Sequence, residues 1–137
     1  MNVVVKLIVT IVTKRVTAYL EAAHLLVGEQ AGFRKFEETH TQSIGLYEML
    51  KRRQNQGYDS YVTFIDFAKA YDTVPHEALF LKMERMGIRG KTMAFFRGLY
   101  ATSSVTVLDS EERFPLQRGL RQGCPSSPVL FLSLIHI

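Results

Sequence analysis

The chain contains one stretch in which a carboxylate stands where folding alone gives it no reason to be. Residues 62–72 read VTFIDFAKAYD, an apolar run ending in Asp66, with Tyr71 five residues on and Asp72 directly after it. An unpaired charge is costly inside an apolar strand, so Asp66 is expected to be in use. A carboxylate at the end of a buried strand is suited to holding a hard cation, with a neighbouring backbone carbonyl as a further oxygen ligand. Such cations are usually shared with substrate phosphates. A ring in the turn leaving the strand, that of Tyr71, would then press on the sugar of the nucleotide that brings the phosphates. The plainer alternatives are a strand-end aspartate that caps a turn and a tyrosine that belongs to the core. Asp72 reads as a hydrogen-bonding turn residue.

The elements that would have to position these groups follow from periodicity and punctuation. Residues 3–12 are β-branched and predict a short extended or helical start. Val16, Leu20 and Ala23 recur at helical spacing, so a helix is expected to about Leu26 with Gly28 as its stop. Ile44, Tyr47 and Leu50 share a face of a second helix that ends in the basic KRRQNQG, its positive last turn matching the helix dipole. Residues 61–67 are apolar on both alternating faces and predict a buried central strand. Pro75 suits the first turn of a helix carrying Leu79, Met83 and Met86 and closed by Gly87, and a further helix places Met93, Phe96 and Tyr100 on one side. SVTVL and RFPLQ read as a hairpin about a turn near DSEE, and RGLRQGCPSSP as a loop before a helix that begins near Ser127 with Pro128 in its first turn. The fold class is α+β, with no internal repeat and no inter-domain linker.

Bulk composition narrows the function classes. A chain of 137 residues with 47% hydrophobic content is sized for one domain or a large piece of one and need not be a disordered tail. The net charge of +4 suits a polyanionic partner without requiring one, and the excess is concentrated in residues 85–121. One cysteine, Cys124, excludes an internal disulfide framework. The four histidines are scattered and make no zinc set. An intracellular, reducing compartment is expected. Lys6 interrupts the amino-terminal apolar run, so neither a signal peptide nor a membrane anchor is expected.

Several segments together resemble the reverse transcriptases, most specifically those of retrotransposons without long terminal repeats. They are QAGFR at 30–34, FIDFAKAYDTV at 64–74, MGIRGK at 86–91, LY at 99–100 and RGLRQGCPSSPVLF at 118–131, in the family's order and spacing. The resemblance divides the chain into an amino-terminal fingers-side segment at 1–28, a partial reverse transcriptase domain at 29–131, and residues 132–137, which depart from the family pattern. It implies part of the fingers and palm of a right-hand polymerase, without a thumb.

Carried onto this chain, the resemblance makes Asp66 a catalytic metal ligand and the Phe67 carbonyl its companion, with Mg²⁺, or Mn²⁺ in its place, as the cofactor. Tyr71 would be the steric gate that rejects a ribose 2′-hydroxyl, and Gln122 and Gly123 would lie against the incoming nucleotide and the templating base. Arg34, Arg118 and Arg121 would contact nucleic acid or triphosphate, with solvated surface arginines as the alternative. The implied partners are an RNA template, a DNA primer and deoxynucleoside triphosphates, with no membrane. KFEETH after Arg34 and Ser126, where Leu is usual, depart from the pattern. The family's second carboxylate pair, a Phe/Tyr-Ala-Asp-Asp hairpin, would follow SPVLF, whereas no aspartate follows Asp109 here. A fragment of an RNA-directed DNA polymerase, inactive alone, is therefore expected, with a non-catalytic nucleic-acid-binding remnant as the alternative.

Overall fold

The structure, a computed structural model, describes residues 2–34, 36–106 and 112–135. Two compact units divide the chain: residues 1–26 with 69–137, and residues 27–68.

In the first unit α1 (Val3–Ala22) is a single helix from its first turn, capped by Asn2, whose side chain accepts from the Val4 N–H at 2.9 Å. Its β-branched start is a poor helix former by propensity. Three threonines turn their hydroxyls onto the carbonyl four residues back: Thr10 on Lys6, Thr13 on Val9 and Thr17 on Thr13, at 2.7–3.0 Å. The helix stops at Ala22, four residues before the expected Leu26. Its terminator is His24 and not Gly28: His24 takes φ 50°, its N–H donates to Glu21 O, and Leu25 N–H donates to Leu20 O at 3.0 Å. A left-handed residue with this pair of bonds satisfies the last carbonyls without glycine. No described helix is long and apolar enough to cross a membrane.

Helix α3 (His76–Arg85) follows Pro75, and α4 (Gly90–Ala101) follows after a turn closed by Gly87, as expected. Gly87 has φ 86°, and its N–H and that of Ile88 bond Glu84 O and Met83 O at 3.0 Å. A side chain there would also strike the Tyr19 hydroxyl, which reaches from α1 to donate to Met86 O at 3.0 Å. Strands β1 (Ser104–Thr106) and β2 (Arg113–Pro115) form the expected antiparallel hairpin, in register Val105 with Phe114. Most of the expected DSEE turn lies outside the described residues.

Helix α5 (Ser127–Ile135) is apolar around its circumference, as a helix enclosed by others should be, and it packs against α3 and α1. Its buried residues continue through Leu132 and Ser133. The core joins Val16 and Leu20 of α1, Leu79, Phe80 and Met83 of α3, Met93, Phe96 and Tyr100 of α4, and Val129 and Leu130 of α5.

The second unit holds α2 (Thr39–Asn55), which is helical where expected and basic in its last turn. No residue of α2 is buried; of the expected apolar face, Ile44 and Tyr47 are exposed and Leu50 is half-buried. After α2 the chain turns back on the helix end, where Arg53 Nε donates to Ser60 Oγ at 2.9 Å and its guanidinium lies 5.5 Å from the Tyr58 ring centre.

Residues 61–67 correct the expectation of a buried central strand. They adopt no regular secondary structure, and Tyr61, Phe64, Ile65 and Phe67 are 95%, 83%, 84% and 66% exposed. An apolar, β-branched run becomes a buried strand only when neighbours pair its backbone and cover its faces. The two described strands pair with each other.

Candidate functional site

Two segments far apart in sequence are joined along one edge of the first unit. The turn at 69–73 begins with Lys69 at φ 52°, and Asp72 N–H closes it onto Lys69 O at 2.9 Å. Against this turn lies the loop at 118–124. Leu120 N–H donates to Tyr71 O at 2.7 Å, Gly119 N–H donates to Val74 O at 2.8 Å, and Arg118 forms an isolated antiparallel bridge with Pro75. The approach is too close for a side chain: a Cβ on Gly119, which has φ 95°, would lie 3.2 Å from Asp72 O.

The joint makes an open cleft of about 310 Å³ lined by Tyr71, Gln122, Gly123, Cys124, Ser127 and Pro128. The Tyr71 ring is half-buried and stacks on Phe131, with centroids 5.1 Å apart and planes 17° from parallel. Burial raises the Tyr71 pKa above its ordinary value, so the phenol is protonated at neutral pH. Gln122 Nε2 donates to Asp72 Oδ1 at 3.3 Å, a long bond at an exposed position. The Asp72 side chain thus takes its hydrogen bond from the 118–124 loop and not from within its own turn.

Beneath the loop, Ser126 is buried with its hydroxyl 3.1 Å from Cys124 Sγ, so a small polar residue is accommodated where leucine is usual. Ser127 Oγ donates to Arg121 O at 2.6 Å. Tyr100 lies under these groups, and its hydroxyl is buried without a hydrogen-bond partner among the described residues. Burial raises its pKa, and the Ser127 hydroxyl and Arg121 backbone offset part of that rise without reaching hydrogen-bonding geometry. A buried hydroxyl with no partner destabilises. Tyr100→Phe is therefore expected to make the chain more stable by about 1 kcal/mol. Urea denaturation checks this, and a loss of comparable size would mean that the hydroxyl is bonded.

The remaining expected site residues divide between the units. Arg121 lies beside the cleft, with Nε donating to the buried Ser103 hydroxyl at 2.8 Å, and shares a second open cavity of about 400 Å³ with Lys6, Gln122 and Gly123. Arg118 is exposed. The basic residues of 85–121 do not make a uniform solvated face, since Arg97 covers the Phe80 ring at 4.9 Å. Arg34, in the second unit, donates to its own loop at Val27 O and Gln30 O, 3.1 and 3.3 Å away.

Asp66 and Phe67 also belong to the second unit and are exposed. A carboxylate beside a peptide carbonyl matches a hard divalent cation in kind, but such ions take about six or more oxygens. Among the described residues no three His, Cys, Asp or Glu side chains gather closely enough to hold one. The described residues do not amount to a complete cation site.

Sequence reasoning passed over His76 and Tyr100 as site residues. The first is a buried histidine whose Nε2 lies 2.8 Å from Gly119 O, the second the residue beneath the loop. A histidine directly after the proline that opens α3, on the face of Leu79, Phe80 and Met83, was the available signal.

The model of the reverse transcriptase (RNA-dependent DNA polymerase) family matches residues 1–137. Among curated proteins, the chain is 30% identical over 120 residues to a retrovirus-related Pol polyprotein from type-1 retrotransposable element R2 of Popillia japonica, covering 85% of this chain and 17% of that one. A second protein of the same description and organism is 30% identical over 91 residues, 64% of this chain and 15% of that one. The chain thus spans less than a fifth of the length of either relative. No solved structure matches it.

Proposed function

Because the chain belongs to the reverse transcriptase family, we propose that it is part of the RNA-directed DNA polymerase of a non-LTR retrotransposon and forms the wall of the deoxynucleotide pocket. The observation that carries this reading is the single cleft lined by Tyr71, Gln122 and Gly123.

In that pocket the Tyr71 ring, kept from swinging by its stack on Phe131, fills the volume a 2′-hydroxyl would need. The Gln122 amide, held at Nε2 by Asp72, presents Oε1 toward the nucleotide, and Gly123 leaves room for a base or sugar to approach the backbone. Arg121 and Arg118 flank the path of the phosphates, and Arg34 serves the fingers. The partners are an RNA template, a DNA primer and deoxynucleoside triphosphates. Asp66, with the Phe67 carbonyl, is one ligand of a Mg²⁺ or Mn²⁺ ion in the polymerase and not a cation site by itself. Nucleotidyl transfer needs several anionic oxygens around its cations, so residues 1–137 alone are inactive in this reading.

Sugar selectivity tests the assignment. In a complete polymerase carrying residues 1–137, Tyr71→Ala is expected to lower the preference for deoxynucleotides over ribonucleotides by about ten- to a hundredfold, the range in which a pocket's shape discriminates a hydroxyl. Competitive incorporation of dNTP and rNTP measures the ratio. An unchanged ratio would return Tyr71 to a packing role.

A further inference from the structure

We propose that His76 is the positioning residue of the Tyr71 gate, acting through the single peptide group that joins Gly119 to Leu120. His76 opens α3 with its ring 9% exposed, braced by Tyr100 at 4.8 Å and 65° and by Phe80 at 6.4 Å and 50° between ring centres and planes. Its Nε2 lies 2.8 Å from Gly119 O. A carbonyl oxygen only accepts, so Nε2 carries the proton and the tautomer is set by the partner.

The far side of the same planar peptide is the Leu120 N–H, which donates to Tyr71 O at 2.7 Å. One rigid peptide thus bridges the His76 ring and the backbone of the gate residue. Glycine at 119 makes rotation of that peptide easy, and any rotation breaks both bonds at once. The His76 proton resists the rotation and so fixes where Tyr71 stands relative to Gln122, three residues along the same loop and tied to Asp72. His76 touches no substrate in this arrangement; its effect is on the gate's position.

The proposal rests on the reading of Tyr71 as the sugar gate, and two readouts separate the failure of one from the failure of the other. The first is amide hydrogen exchange on the 137-residue chain. His76→Phe keeps a ring and removes the donor, and it is expected to speed exchange at Leu120 N–H by about tenfold, the worth of one hydrogen bond. His76→Gln places an amide Nε2 at the same reach and is expected to restore protection.

The second is the dNTP to rNTP ratio in the complete polymerase, which does not depend on how much enzyme is folded. His76→Phe is expected to lower it about fivefold and His76→Gln to hold it within about twofold of the parent, with Tyr71→Ala as the reference for an absent gate. Should phenylalanine prevent folding, His76→Leu removes the donor with less bulk. A ratio that falls in Tyr71→Ala and stays at the parent value in the donor-less variants overturns the positioning role, as does unchanged Leu120 exchange. A ratio unchanged in Tyr71→Ala itself removes the gate, and with it the proposal that His76 positions one, even where the Leu120 bond is shown to exist.

Discussion

Asp66→Asn, placed in a complete polymerase that carries residues 1–137, is expected to lower primer extension at least about a hundredfold, since loss of about 3 kcal/mol of charge stabilisation corresponds to two powers of ten. The substitution exchanges two anionic oxygens for one neutral one and changes little else in shape. Folding is expected to survive, because Asp66 is solvent-exposed in a segment without regular secondary structure, where substitutions shift stability by about 0.5 kcal/mol or less. That separation makes the test clean. Primer-extension rates at saturating template, alongside thermal unfolding of the same preparation, provide the check. Extension within severalfold of the parent would leave Asp66 without the role its place in the sequence implies.

The second large effect is on folding. Phe96 is fully buried in the core of α1, α3, α4 and α5, and its ring meets Phe95 edge-on with centroids 5.5 Å apart. Truncation to alanine leaves a cavity among neighbours already held by helix packing, so relaxation closes little of it. Phe96→Ala is expected to cost about 3–5 kcal/mol, against a total stability of about 5–15 kcal/mol for a domain. Denaturant unfolding of the 137-residue chain should show the midpoint fall by a large fraction of its parent value, or no cooperative transition at all. A loss below about 1 kcal/mol would contradict the burial of this ring.

The opposite sign expected for Tyr100→Phe, one helical turn along α4, makes a useful pair with it. Both rings are buried on the same face, and only one carries a polar atom that its surroundings leave unsatisfied.

What the amino-acid sequence determined by itself is local. The apolar stripes Leu79–Met83 and Met93–Phe96–Tyr100, the glycine stop at 87, the proline before α3 and the Ser127–Pro128 helix start all act over one or two turns, and each lies where residue spacing put it. The family motifs were legible for a related reason, since each is a contiguous string of residues. Tertiary structure decided the rest. His24 ends α1 ahead of Gly28 because Leu25 and Leu26 are drawn into the core, a gain that outweighs the strain of a non-glycine left-handed residue. The gathering of Tyr71 with Gln122 and Gly123, and the bridge from His76 to Gly119, join residues more than forty positions apart, and no periodicity records such pairs. Residues 61–67 show the converse. Apart from Asp66, their side chains have the β-branched and aromatic character of a central strand, yet a strand is made by the neighbour that accepts its hydrogen bonds, so these described residues leave their aromatic faces in water.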